Sequence, residues 1–413
     1  MSNFLRKWLT ISIFNLLLVA TLGVVLRYKI AFYLPFVQQK FLLHSHSHFA
    51  FAGWITQTLM ILLVHHLSVK NGEDSIRKYR WLLYANLFTA YGMLVSFIIQ
   101  GYAFFSISFS TLSIFVSYFF AAYYWKDLNK LNENKVSHWW FKAALVFSVL
   151  SSIGAFSLAF MMANKISHQN WYLASIYFFL HFQYNGWFFF AGMGLLVSRL
   201  EVITSAHKYL KIAFLLFGFA CIPAYFLSAL WLPIPEIIYV IIIAAVIAQL
   251  AGWVLMTKVF ISNKVFINQH FSKYGKVLLL LSAIAFSIKL LLQSGSIHPA
   301  LSQLSYGFRP IIIGYLHLVL LAVTSIFIIG YIVSFELIPV TKKLTTGIFI
   351  FVAGIIINEL LLMAQGVAGL SYNIIPYINI WLFIAALILF SGISIIFISR
   401  LKTSSPTFTE KEI

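Results

Sequence analysis

Residues 41–67 read FLLHSHSHFAFAGWITQTLMILLVHHL. From Phe49 to Val64 the run carries no charge, and histidines close it at both ends. A bilayer core takes roughly 20 apolar residues per helix, so the stretch predicts a membrane span with imidazoles at its rims. Composition extends this reading to the whole chain. Of 413 residues, 62% are hydrophobic, 18% aromatic and only 9% charged. A soluble domain carries about 25% charged residues, which excludes a soluble enzyme. Disorder is excluded by the same apolar content. A disulfide scaffold is excluded because Cys221 is the only cysteine. The expected fold is all-α, a polytopic bundle of about twelve transmembrane helices.

The expected spans are 8–26, 44–67, 81–101, 104–124, 139–163, 171–200, 209–231, 234–261, 277–292, 310–335, 344–364 and 377–399. Trp and Tyr mark many of their ends, as interfacial anchors do. The first span lacks a small-residue cleavage site and reads as a retained helix. Pro223, Pro233 and Pro235 are expected to end or kink the seventh and eighth spans. Residues 1–402 form one bundle domain in this reading, and 403–413 a disordered cytoplasmic tail. No internal repeat stands out.

The formal charge is +18. Its placement argues against nucleic acid and for a membrane. With the N-terminus inside and sides alternating, 22 Lys and Arg fall on inner segments and 5 on outer ones. That asymmetry is the positive-inside pattern. It predicts both termini in the cytoplasm and a bacterial cytoplasmic (inner) membrane, with membrane lipid as the surrounding partner.

Polar side chains inside hydrocarbon are functional candidates. The chain has 12 histidines against 10 carboxylates. His44, His46 and His48 crowd the start of the second span. His44 and His48 share a helix face and His46 points elsewhere. His181 lies inside the sixth span, in FFLHFQYNGWFFF, and His317 inside the tenth, in RPIIIGYLHLVLLAVTS. All three spans start from the outer side. At 1.5 Å per residue His317 lies about 12 Å deep and His181 about 15 Å, with His48 shallower. Imidazoles on facing helices can serve as axial ligands of a bis-histidine haem. Any one of them alone reads equally as a hydrogen-bonded packing residue. Tyr184 and Asn185 lie within a turn of His181 and could orient it. Glu359 in the eleventh span and Lys289 in the ninth are candidates for a proton relay or a buried polar contact; for Lys289 the plain alternative is snorkelling.

About twelve spans, a histidine near the start of the second and another in the tenth resemble subunit I of the haem-copper oxidase superfamily. The resemblance implies a low-spin haem, of the b type, held by His48 (or His44 or His46) and His317. The chain also departs from the family. The seventh span, KYLKIAFLLFGFACIPAYFLSALW, has no histidine pair for copper or non-haem iron. Tyr315-Leu316-His317 stands where the family has His-x-His. Asn185 lies four residues after His181, where many members have Tyr or Glu, and Tyr184 comes one residue early. Copper or non-haem iron is therefore doubtful, with His181 the remaining candidate for a second metal. In length, topology and the LLHSHSHFAFAGW stretch the chain is similar to the NnrS family, implicated in resistance to nitric oxide. That similarity implies a role in nitric oxide or oxygen response or in electron transfer. Its partners would be a diatomic gas ligand and a quinol or cytochrome donor; any enzyme activity would be a haem-dependent oxidoreductase. The alternative is a small-solute or metal-ion transporter with a histidine-lined outer vestibule, and Glu359 and Lys289 on its path. No Walker A, zinc-protease, Cys-x-x-Cys or nucleophile-elbow motif is present.

Overall fold

In the computed structural model the described residues are 3–72, 74–131, 133–298, 301–302 and 309–402. The expected tail, 403–413, lies outside them. Every regular element among the described residues is helical. We number the long helices α1 (Asn3–Ala31), α2 (39–71), α3 (Asp74–Gln100), α4 (Phe104–Lys130), α5 (Val136–Ala163) and α6 (169–200). Then follow α7 (His207–Cys221), α8 (Glu236–Ser262), α9 (Lys273–Gly295), α10 (309–334), α11 (Lys342–Leu370) and α12 (Ile378–Lys402). A short helix, Lys264–His270, joins α8 to α9.

Ten of these, α1 to α5 and α8 to α12, are long and apolar enough to cross a membrane. The chain is thus an all-helical integral membrane protein. The sequence reading counted two spans more. One is α6, whose centre carries His181, Gln183 and Asn185, which lower its hydropathy. The other is α7, which stops as an α-helix after 15 residues. Pro223 follows, and the chain continues as the 3₁₀ turns Pro223–Ser228. A proline offers no N–H and disfavours helical geometry in the residue before it, so the α-helix ends there.

The centre is formed by α2. The apolar window of α2 is 72% buried, against at most 44% for any other of the ten spans. Around it α1 packs on α12, α11 on α12, α3 on α4 and α7 on α8. Each of α2, α6 and α10 contains a π-helical stretch: Ala50–Thr56, Phe182–Phe188 and Leu318–Ser325. Each stretch follows directly after a candidate histidine or within two residues of one. The three are tied together. The Trp54 indole N–H donates to Ser325 Oγ at 2.9 Å, and the Trp187 indole N–H to Thr56 Oγ1 at 3.2 Å.

A π turn pairs carbonyls with the N–H five residues on, as Ala52 with Gln57 and Leu321 with Ile326, so the backbone stays satisfied in hydrocarbon. Side chains add further donors to carbonyls of these stretches. Asn15 of α1 donates to the Gly53 carbonyl at 2.6 Å, and Asn86 of α3 to the Ala52 carbonyl at 3.0 Å. In α10, Thr324 and Ser325 each donate to the carbonyl five residues back, at 2.8 Å. Interhelical bonds of this kind contribute about 0.6–2 kcal/mol each.

Small residues set the spacing of the outer helices. A Cβ on Gly154 would stand 2.4 Å from the Ser175 carbonyl oxygen and 2.7 Å from the Phe179 nitrogen. Both are backbone atoms of α6, so nothing flexible can give way. At the C-terminal end of α2, Lys70 is hydrogen-bonded to Glu133 in the α4–α5 loop, and Lys135 lies 3.1 Å from the same carboxylate.

Gly154→Val should lower thermal stability by about 1–3 kcal/mol, because α5 and α6 must separate. An unchanged melting temperature in detergent would refute this close backbone contact. The Glu133 link should depend on pH. The hydrogen bond from Lys70 holds the Glu133 carboxyl below its ordinary value of 4.5. A depressed carboxylate stabilises the fold above its unfolded value and loses that contribution as pH falls through the folded one. The melting-temperature gap between wild type and Glu133→Gln should therefore be present at neutral pH and close as pH drops below 4.5. A gap independent of pH would count against the link.

Candidate functional site

The three histidines at the start of α2 separate by face, as their spacing requires. His48 stacks on Phe97 of α3 at 4.4 Å and 17°, and its Nε2 hydrogen-bonds the Tyr102 hydroxyl at 2.8 Å. His44 meets the same Tyr102 ring edge-on at 4.6 Å. These two therefore face α3 and the loop after it.

His46 points the other way. Its ring lies over Gly23 of α1, where an added Cβ would touch its Cε1 at 3.5 Å. Its Nδ1 is buried without a partner. The Val19 carbonyl and the Arg27 guanidinium are its polar neighbours. His46 is also the imidazole within electrostatic range of His317. The structure brings one of the three N-terminal α2 histidines to the tenth helix, and it is His46.

His317 is the last α-helical residue before the π stretch of α10. Its Nδ1 is 2.8 Å from the Ile313 carbonyl. A carbonyl only accepts, so Nδ1 carries the proton and the lone pair sits on Nε2. Such a backbone partner fixes the tautomer and the ring orientation of a ligating histidine. His46 and His317 are both half-buried: each keeps accessible surface although helices surround it. The Nδ1 of His46 itself has no accessible surface.

Two further charges belong to this place. Sequence reading put Arg27 in an outer loop, but α1 continues to Ala31 and carries Arg27 on its last turns. It lies within electrostatic range of His46, His317 and Glu359. Glu359 of α11 accepts a hydrogen bond from Asn358 at 3.2 Å. Four helices thus bring an arginine, two imidazoles and a carboxyl to one region. Nothing in the sequence pattern marked Arg27, because its register at a helix end is not legible without the length of α1.

His181 is placed differently. It is fully buried, and both ring nitrogens are engaged. Nε2 is 2.8 Å from the Cys221 carbonyl, and Nδ1 is 3.0 Å from Asn185 Nδ2. The proton then resides on Nε2, and Asn185 donates to Nδ1. Asn185 orients His181, as its spacing suggested. The Tyr184 ring instead meets Tyr315 of α10 at 6.4 Å. Among the described residues no group of three His, Cys, Asp or Glu side chains stands close enough to hold a metal ion.

Lys289 is 3% exposed and does not snorkel. Its ammonium lies 5.2 Å from the Phe286 ring centre. It borders a small cavity with Asn185, Cys221 and Gln249, and is not grouped with Glu359. Glu359 and Lys289 therefore belong to separate polar centres.

Comparison with known protein families finds no family model that matches this chain. Comparison with curated proteins likewise finds no relative.

Asn185→Leu should leave His181 Nδ1 buried and unpaired. The expected cost is about 1–3 kcal/mol, read as a lower melting temperature. A variant as stable as wild type would show that this bond does not hold His181.

Proposed function

We propose that this protein binds haem within the membrane, held by the histidines of its second and tenth helices. The observation that carries the proposal is that His46, His317 and Arg27 lie within electrostatic range of one another. His46 offers a buried unpartnered Nδ1, and His317 a lone pair on Nε2 fixed by its backbone partner. Imidazole is an ordinary axial ligand of haem iron, so the residue types present fit the group. His46 takes the ligand role in this reading, because His48 is committed to Tyr102.

When bound, a b-type haem supplies one-electron chemistry and, if one axial ligand is labile, a site for a diatomic gas. The chain's own residues do the rest. His46 and His317 would hold the iron from two helices. Arg27 would neutralise a propionate, which is costly to bury unpaired. Glu359 and Asn358 add a second polar boundary on the α11 side. The π stretch after His317 sets the direction of its ring relative to α2. Copper or non-haem iron finds no ligand set among the described residues, and no step is assigned to either.

The same proposal places α6 and α7 across the membrane, giving twelve crossings with both termini on the inner, cytoplasmic side. The 22-to-5 distribution of Lys and Arg supports that topology, because Arg199, Lys208 and Lys211 then join the inner set. The role we infer is electron transfer or nitric oxide or oxygen response in a bacterial inner membrane. A quinol or a cytochrome would be the donor, and a haem-copper-like or NnrS-like ancestry would account for the arrangement. A transporter with one histidine-lined vestibule draws less support, since His44 and His48 face away from His46.

The test is the visible spectrum of the purified protein, reduced minus oxidised. Wild type should show a b-type haem signal. His46→Ala and His317→Ala should each lose most of it while still melting cooperatively, and His48→Ala should keep it. A wild type that stays colourless after haem supply would overturn the proposal. Loss in His48→Ala with retention in His46→Ala would overturn the ligand assignment.

A further inference from the structure

The second polar centre lies among α6, α7, α8 and α9, away from His46 and His317. It is an internal cavity of about 10 Å³, lined by Asn185, Cys221, Gln249 and Lys289 and otherwise by phenylalanine rings. A space of that size accommodates one water-sized species. Lys289 is 3% and Gln249 5% exposed.

The hydrogen-bond inventory of the cavity is uneven. Asn185 spends its amide N–H on His181, and the Cys221 thiol points to the Asn185 carbonyl at 3.8 Å. Among the described residues, Lys289 Nζ and the Gln249 amide make no hydrogen bond and no ion pair. Both retain polar surface, and the cavity they line is the space that surface meets. Lys289 brings three N–H donors and no acceptor, and Gln249 brings two donors and one acceptor. No carboxylate lines the cavity. The phenylalanine beneath Lys289 contributes only a weak cation–π attraction.

A buried amine with no carboxylate beside it either gives up its proton or takes a counter-charge. We infer that Lys289 and Gln249 form a binding site for one small monovalent anion, of halide size. The donor-rich lining selects an anion over a cation. The small volume excludes sulfate and phosphate. Each of the four helices contributes one polar lining residue, so the bound anion would tie α6, α7, α8 and α9 together. This inference does not depend on haem, and its test does not use haem.

The experiment uses the full chain, purified and reconstituted in nanodiscs without halide, in sodium gluconate. Chloride or bromide is then titrated in at constant ionic strength, with sulfate as control. Wild type should gain several degrees in melting temperature with halide, saturably, and nothing with sulfate, because a ligand that binds only the folded state stabilises it by mass action. Gln249→Leu should need roughly tenfold more halide, corresponding to the loss of one hydrogen bond to a charged partner. Lys289→Met should melt at a temperature independent of halide. A wild-type melting temperature that ignores halide, or follows sulfate equally, would overturn the inference and leave a water molecule as the occupant. A halide response that persists in Lys289→Met would overturn it as well. Should Lys289→Met fail to fold, the wild-type titration and Gln249→Leu still decide.

Discussion

Inside hydrocarbon no backbone N–H or C=O can be left for water to satisfy, and this single constraint shapes the centre of the bundle. The π stretches of α2 and α10 pair carbonyls with N–H groups five residues on, and side chains add further donors to carbonyls there. Asn15 and Asn86 reach in from α1 and α3, and Thr324 and Ser325 bond back along α10. Two tryptophan indoles then link the three stretches through hydroxyl groups. Buried polar groups that look like liabilities in a 62% hydrophobic chain are therefore further donors to the backbone.

The same stretches position the candidate chemistry. A π turn rotates the residues after it relative to those before it. A side chain placed at the junction can then face a direction that a regular helix would deny it. His317 and His181 stand at such junctions, and His46 stands one turn before one. Their environments then diverge. His181 has two hydrogen bonds and no accessible surface, the condition of a packing residue. His46 and His317 keep surface and unshared nitrogens. Burial alone would have ranked these histidines in the reverse order of their fitness as ligands.

The charged residues divide in a similar way. Arg27 and Glu359 lie within electrostatic range of each other, and Arg27 within range of His46 and His317. Among the described residues Lys289 has no ion-pair partner; it lies in the part built by α6 to α9, against an aromatic ring and beside the Gln249 amide. Ionisable groups in a membrane interior are tolerated where they line internal space, and Lys289 meets that condition. The two centres are separate sites, each of which can fail experimentally without affecting the other.

Much of the fold was legible in the sequence because hydrophobic run length is a direct physical readout of a bilayer. The run from Phe49 to Val64, and others like it, determined that the chain is a helical membrane protein. The proline after Ile222 determined where α7 stops. Helical periodicity also determined that His44 and His48 share a face that His46 does not. What periodicity cannot supply is the absolute rotation of a helix about its own axis. That rotation is set by the neighbours: Gly23 and Val19 on one side of α2, Phe97 and Tyr102 on the other. Only the tertiary structure therefore decided that His46 turns to the tenth helix, that Arg27 joins it, and that Lys289 stays buried.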